Sequence, residues 1–210
     1  ATSVALTAAA SWRLLADSGP GLWPVYAAAI LLGYPVADLV SGFIHWSADR
    51  VLSESAPYFG PHFVKPFRAH HADPRAIARH DFIETNGNTC IALIPFLAVS
   101  WWCLAGSPAL QASAISLAFW LFWTNPIHRW AHADEPPALV CWLQRRRLIL
   151  APAHHAAHHG PPFDRCFCIT SGWCNPLLDR LGLFAITERW LRAAWRVRTA
   201  WNRATPSTRP

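Results

Sequence analysis

The chain has 210 residues, of which 53% are hydrophobic and 14% are charged, and its formal net charge is +6. This composition excludes an ordinary soluble domain, and the thirteen Trp match the aromatic belts of membrane proteins. The basic residues flank apolar segments and form no patch interleaved with aromatic side chains. This pattern excludes nucleic acid as a partner and favours anionic lipid head groups. A single domain over residues 1–210 accounts for the length.

The first candidate membrane helix covers residues 22–46, more than the roughly 20 residues that one span needs. Residues 1–16 are apolar and rich in alanine but lack the basic start of a signal peptide, so they either insert or lie on the surface. Asp38 places a carboxylate inside the span, where a charged group is energetically unfavourable. Its side chain is therefore expected to face a polar partner. His45 and Asp49 follow at spacings of seven and four, which put all three side chains on one helical face.

The longest uncharged stretch runs from Thr85 to His128 and predicts a membrane hairpin. It contains no Asp, Glu, Lys or Arg over about 44 residues, and a Gly-Ser-Pro turn at residues 106–108 divides it. The total is therefore three spans, or four if residues 1–16 insert. The turn is uncharged, whereas Lys and Arg gather at the opposite ends of the hairpin. The positive-inside rule accordingly predicts that the histidine-rich side is cytoplasmic.

Histidines cluster where the predicted helices end. The segment 67–88, FRAHHADPRAIARHDFIETNGN, contains three, and a helix is expected to begin there with Asp73 as its N-cap, just after the histidine pair. His128 and His132 are four residues apart and so project from one face of a helix, and the segment 154–159, HHAAHH, repeats that spacing. His62 lies between prolines and is set aside. The predicted metal ligands are His45, His70, His71, His80, His128, His132, His155, His158 and His159.

Other polar residues near these histidines are candidates for a supporting role. Carboxylate and amide oxygens commonly accept the second N–H of an imidazole that binds a metal. His154 points away from the face that the other histidines of its segment share. The candidates for outer partners or extra ligands are Asp38, Asp49, Asp81, Glu84, Asn88 and His154.

Nine imidazoles are more than one metal ion needs, since a tetrahedral zinc takes four ligands. The pattern therefore predicts two metal ions, and an all-nitrogen ligand set suits iron, zinc, copper or nickel. A two-metal centre that activates O2 beside a lipid-accessible pocket could oxidise an unactivated C–H bond. No catalytic residue beyond the metal site is predicted. A zinc hydrolase would need a glutamate base as in H-E-x-x-H, which is absent, and a metal carrier would need ligands along a path through the membrane.

The C-terminal third is expected to lie at the membrane surface. Residues 138–143 are too short to span, and residues 177–203 form an amphipathic basic helix typical of anionic interfaces. Residues 163–175 predict a folded loop with a strand-like patch, and residues 205–210 a disordered tail. The six cysteines show neither disulfide nor zinc-type spacing and are interpreted as structural. The predicted fold is an all-α integral-membrane bundle.

Four motifs together resemble one protein family. They are His45-Trp46-x2-Asp49, the segment 67–88, IHRWAH at residues 127–132, and HHAAHH followed by FCITSGW. The chain is similar over residues 38–173 to the plasmanylethanolamine desaturase family, the Kua or CarF type. The general pattern, with histidine groups flanking a membrane hairpin, also resembles that of the wider integral-membrane di-iron desaturases and hydroxylases.

The resemblance implies an O2-dependent desaturase with two iron ions. It would convert the 1-O-alkyl chain of plasmanylethanolamine to the vinyl ether of a plasmalogen, with electrons from a small carrier protein and its reductase. The alternative it leaves open is desaturation or hydroxylation of an acyl chain, as in phosphatidylglycerol, because plastid desaturases share the architecture. The implied location is a membrane, the inner membrane if the source is bacterial. The oligomeric state stays open.

Overall fold

The structure, a computed structural model, describes residues 19–204, and the elements of that range are helical with no strand. The all-α prediction is therefore confirmed for this range, whereas the strand-like patch predicted in residues 163–175 is wrong. Residues 1–16 and the tail at 205–210 lie outside the described range. The α-helices are α1 Trp23–Trp46, α2 Lys65–Ala72, α3 Phe82–Cys103, α4 Pro108–Ala131, α5 Ala138–Arg145, α6 Pro152–Ala156, α7 Asn175–Arg180 and α8 Leu183–Ala204.

Helix α1 begins within one residue of its predicted start and passes into a π-helical turn, Ser47–Val51. The turn continues the helical path far enough to keep His45 and Asp49 together. Their Nε2 and Oδ2 atoms lie 3.3 Å apart. The expectation that these two side chains share a helical face is confirmed, and the shared face points into the protein because both side chains are buried.

The two helices of the predicted hairpin are present as α3 and α4, joined by a short turn, and that both cross a membrane stays a prediction. Asp81 caps α3 by accepting the backbone N–H groups of Ile83 and Glu84, and the Glu84 side chain accepts the N–H of Asp81 in return. This reciprocal arrangement, the capping box, satisfies backbone groups that a helix start leaves unpaired. Asn125 of α4 ties the two helices together by donating to the carbonyl oxygen of Thr85 at 3.0 Å.

Helices α1 and α4 pack closely because a glycine faces a small residue. A Cβ atom added to Gly33 would lie 2.1 Å from Ser116 Oγ, so the helices can adopt this separation only with glycine at that position. Small residues at such contacts are typical of helix packing in membranes. Near the same contact, the indole N–H of Trp120 donates to the carbonyl oxygen of Ile30 at 3.2 Å.

Two helical segments in the described range are long and apolar enough to cross a membrane, Trp23–Val51 and Phe82–Cys103. Helix α4 is as long as α1 but more polar. Large apolar side chains on these helices face outward, as Leu31 is 73% exposed and Trp102 is 85% exposed. Such outward apolar surfaces are expected for helices that contact lipid.

The segment around the first histidine pair folds differently from the prediction. Helix α2 begins with Pro66 in its first turn and carries His70 and His71 in its last turn, so Asp73 is a C-cap and not an N-cap. A short 3-10 helix, Ala76–Arg79, follows. The predicted helix start at Asp73 is therefore wrong. The physical reason is lack of room, because α2 ends at Ala72 and Asp81 already caps α3, which leaves space only for the short 3-10 helix.

Candidate metal centre

The side chains of five histidines converge on one point near the C-terminal end of α4. Their ring nitrogens all lie within 4.8 Å of one another. The last turn of α2 supplies one, the end of α4 supplies two, and α6 with the turn after it supplies two. We call this group the five-histidine cluster: His70, His128, His132, His155 and His159.

Short separations between Nε2 atoms define the centre of this cluster. The His128 and His155 Nε2 atoms are 2.7 Å apart, and the His70 and His132 Nε2 atoms are 3.0 Å apart. Two nitrogen ligands at about 2.1 Å from one ion and at a right angle to each other lie about 3.0 Å apart. The residues therefore fit a metal ion bound between the five rings.

Burial keeps these imidazoles neutral. It lowers the pKa of His132 to about 4 and that of His159 to about 3, with neighbouring histidines adding to the effect. Burial also lowers the pKa of His70 to about 2. A neutral imidazole offers the lone pair that a metal requires, so at neutral pH the cluster is ready to bind a cation.

A second group places a carboxylate among three imidazoles. Asp49 Oδ2 lies 3.0 Å from His71 Nε2 and 3.3 Å from His158 Nε2, in addition to its contact with His45. We call this group the three-histidine–aspartate cluster: His45, Asp49, His71 and His158. Although each lies 3.3 Å from Asp49 Oδ2, the buried Nε2 atoms of His45 and His158 form no hydrogen bond of normal geometry with a described residue. Such orphaned atoms fit a ligand role, because buried polar atoms normally have a partner.

Backbone carbonyl groups fix the orientation of two of these rings. His45 Nδ1 lies 3.1 Å from the carbonyl oxygen of Phe167, and His158 Nδ1 lies 2.8 Å from that of Arg165. An Nδ1–H that donates to a carbonyl leaves the Nε2 lone pair directed at the cluster. Sequence patterns could not reveal these partners. Every residue has a backbone carbonyl group, and residue type does not show which of them will contact a histidine ring.

The two clusters adjoin, since neighbouring histidines in the chain are divided between them. His70 belongs to the first cluster and His71 to the second, and the pair His158 and His159 is divided in the same way. Across the boundary the ring centroids of His71 and His159 are 5.0 Å apart. The arrangement can therefore hold two cations side by side.

Asp38 lies in neither cluster and instead holds the loop that supports them. It is fully buried, and its Oδ1 accepts the N–H groups of Thr170, Ser171 and Gly172 at 2.7–3.1 Å. Its Oδ2 accepts the N–H of Cys174 at 3.0 Å. These bonds fix a loop that continues from the carbonyl groups contacting His45 and His158.

The remaining candidates for supporting roles contact other partners. Asp81 and Glu84 bond to each other's backbone groups in the capping box described above. The Asn88 side chain donates to the carbonyl oxygen of His62 at 3.4 Å, and His154 Nε2 lies 2.9 Å from the Asn175 amide nitrogen. None of these four belongs to a cluster in the described range.

His80 is the one predicted ligand that the structure leaves outside both clusters. It follows the 3-10 helix in an extended conformation. We expect a His80→Ala variant to keep the metal content of the parent protein, because the eight clustered histidines do not include it. Elemental analysis of purified protein checks this. His159→Ala serves as the comparison that should lose metal, and an equal loss in His80→Ala would return His80 to the ligand set.

The helical fold of residues 19–204, with apolar helices long enough to cross a bilayer and two adjoining histidine clusters, defines a class: the integral-membrane metalloproteins. Within that class, the model of the lipid desaturase domain matches residues 34–201. The chain belongs to the lipid desaturase family.

Three relatives illustrate the range of this family. The chain is 43% identical to a plasmanylethanolamine desaturase of Myxococcus xanthus, over 89% of this chain and 67% of that protein. It is 39% identical to plasmanylethanolamine desaturase 1 of Mus musculus, over 79% of this chain and 64% of the relative. It is 30% identical to the chloroplastic fatty acid desaturase 4-like 1 of Arabidopsis thaliana, over 96% of this chain and 69% of that protein. The chain thus spans about two thirds of the length of these relatives. No solved structure matches it.

Proposed function

We propose that the protein is an O2-dependent desaturase that converts the 1-O-alkyl chain of plasmanylethanolamine to a vinyl ether. The step removes two hydrogens from the carbons next to the ether oxygen. These two hydrogens, together with two electrons and two protons from a donor, reduce O2 to two molecules of water. The observation that carries this proposal is the pair of adjoining clusters in a chain whose relatives include two plasmanylethanolamine desaturases.

Two iron ions are the proposed cofactors. The five-histidine cluster would hold one, and the three-histidine–aspartate cluster the other. When bound, such a pair supplies the oxidising power that an unactivated C–H bond requires. Asp49 adds a carboxylate oxygen to an otherwise all-nitrogen set, and mixed nitrogen and oxygen ligands suit iron.

The chain's own residues restrict the movement of this centre and shield its inner part from water. His128 and His155 are 4% and 1% exposed, so water has little access to the cluster interior. The carbonyl groups that contact His45 and His158 restrict ring rotation. A fixed, water-poor site protects a reactive centre from side reactions.

We propose that α1, α3 and α4 span the bilayer, with the histidine-rich ends on the cytoplasmic side. The turn between α3 and α4 is uncharged. Arg145 shares a cavity wall with His132 and His159, and Arg146 and Arg147 follow it in the chain, so the basic residues lie on the histidine side in agreement with the positive-inside rule. Electrons would come from a small carrier protein and its reductase on that side. Residues 1–210 would form one membrane-embedded desaturase domain.

Expression in cells that supply alkyl-ether phospholipids but lack plasmalogens tests the proposal. Vinyl ethers release fatty aldehyde in acid, and mass spectrometry measures that aldehyde. We expect aldehyde from the parent protein and none from a His128→Ala variant, because His128 Nε2 lies near four other ring nitrogens. Absence of aldehyde from a folded parent protein that contains about two iron ions per chain would refute the ether-lipid substrate.

A second candidate function is desaturation of an acyl chain. It is favoured by the 30% identity to the Arabidopsis fatty acid desaturase 4-like protein over nearly the whole chain. The products separate the two functions, because an acyl alkene survives acid and a vinyl ether does not. A new acyl double bond in phosphatidylglycerol, without aldehyde release, would support the second candidate.

A further inference from the structure

A cavity of about 920 Å³ lies against the five-histidine cluster. His132 and His159 form part of its wall, so a ligand in the cavity reaches the edge of the metal centre. Small side chains such as Ala131 and Ala156 line much of the rest and leave the space open. Ligand-binding pockets typically have volumes of about 300–1,000 Å³.

Two arginines of this cavity are available to an anion. Arg75 is 74% exposed, and its Nη2 is 3.7 Å from Asp134 Oδ1, a loose surface pair that contributes little. Arg145 also lines the cavity and forms no ion pair with any side chain that the structure describes. Guanidinium groups bind phosphate oxygens through paired N–H donors, so this rim suits a phosphate group.

A buried amide in the same wall lacks a partner. Gln144 is 6% exposed, and its Nε2 forms no hydrogen bond in the described part of the chain. A buried donor without a hydrogen-bond partner is energetically unfavourable. The Gln144 amide in the cavity wall therefore needs an acceptor from outside the described chain. An oxygen atom of a bound ligand would supply one.

We propose that this cavity binds the phosphoglycerol part of the lipid substrate. Arg75 and Arg145 hold the phosphate, and Gln144 donates to a glycerol oxygen. The first carbons of the ether-linked chain then lie at His132 and His159, where the oxidation occurs. This site rests on the proposed function, because it assumes that the substrate is a phospholipid oxidised at the five-histidine cluster.

Cys141 provides a measurement of occupancy that does not depend on activity. It lines the cavity and is a free, partly buried cysteine. Purified protein in nonionic detergent is labelled with a maleimide, and mass spectrometry follows each cysteine separately. At about ten times its Kd, a 1-O-alkyl-2-acyl phosphoethanolamine lipid should slow labelling of Cys141 about tenfold. Labelling of the exposed Cys103 should not change.

Variants test the individual contacts. Arg145→Ala should raise the lipid concentration that half-protects Cys141 by about tenfold or more, the effect of losing a charged hydrogen bond. Gln144→Leu should raise it by about 3- to 10-fold, the effect of one neutral bond. Arg146→Ala is the matched control, since its guanidinium lies over the Trp142 ring and outside the cavity wall. It should leave protection unchanged.

The thermal stability of Gln144→Leu separates binding from a structural role. Removing an unpartnered amide should leave the melting temperature unchanged or raise it while protection weakens. A lower melting temperature with unchanged protection would overturn the role of Gln144. A 1-O-alkyl-2-acylglycerol without phosphate should protect poorly, and equal protection by it would overturn the phosphate assignment.

The two proposals fail in different ways. Undiminished Cys141 labelling in the presence of the phospholipid, from protein that forms vinyl ether in cells, would overturn the site and leave the function intact. Protection by the phospholipid from protein that forms no vinyl ether would support the site and refute the function.

Discussion

Replacing Asp49 with alanine is expected to reduce the bound metal from the two ions proposed above to one per chain and to lower product formation by more than about 100-fold. Asp49 Oδ2 lies within 3.3 Å of three imidazole Nε2 atoms, and its side chain is 4% exposed. It is the only carboxylate in the two clusters of the described range. Without it, the second cluster would have three neutral ligands and no negative charge to balance a cation.

Elemental analysis and aldehyde release measure the two effects on the same protein sample. Asp81→Ala is the matched control, because Asp81 is a carboxylate that caps α3 outside both clusters. It should keep both ions and lose about 1 kcal/mol of stability, the usual contribution of an N-cap. Two ions in Asp49→Ala would show that Asp49 only accepts hydrogen bonds from the histidines.

An Asp38→Asn variant is expected to lose about 3 kcal/mol or more of stability, since hydrogen bonds to a charged acceptor contribute about 1.5–3 kcal/mol each. Both carboxylate oxygens accept backbone N–H groups of the loop from Thr170 to Cys174. An asparagine would replace one oxygen with an amide that faces these donors. The melting temperature should fall by roughly 6–12 °C.

Ser41→Ala is the comparison for this variant. Ser41 Oγ accepts the N–H of Ile169 at 3.0 Å and donates to the carbonyl oxygen of Asp38 at 2.6 Å, so it supports the same loop through neutral bonds. Its loss should cost about 1 kcal/mol. Thermal unfolding in detergent measures both variants. A melting temperature for Asp38→Asn equal to that of the parent would contradict the supporting role of the loop contacts.

The sequence predicted the helices whose signals are local. The uncharged run from Thr85 to His128 implied two helices and a turn, and the structure has both. The start of α1 differed by one residue, because a long apolar segment bounded by a glycine turn leaves little ambiguity. At Asp73 the prediction failed, since an Asp-Pro pair resembles a helix start and the signal of the earlier helix, Pro66, lies seven residues before Asp73.

The grouping of the histidines was predictable only in part. Spacing placed His128 with His132, whereas the two metal ions inferred from the number of imidazoles stay a prediction. Spacing could not show that His70 and His71 belong to different clusters, because that division depends on how four separate helices meet. The cost of a buried carboxylate showed that Asp38 needed a partner. The partner is a backbone loop more than 130 residues away in sequence, which no local pattern reveals.

The tight contact between α1 and α4 has a consequence for how a lipid reaches the centre. Where Gly33 meets Ser116, α1 and α4 are too close together for an alkyl chain to pass between them. The cavity beside α5 and α6 gives a route to His132 and His159 that does not pass between α1 and α4. In the proposed orientation this cavity lies at the cytoplasmic ends of the helices, so a lipid would enter it from the membrane surface. Selection among lipids would therefore occur at the entrance of this cavity, where the head group binds before the chain is oxidised.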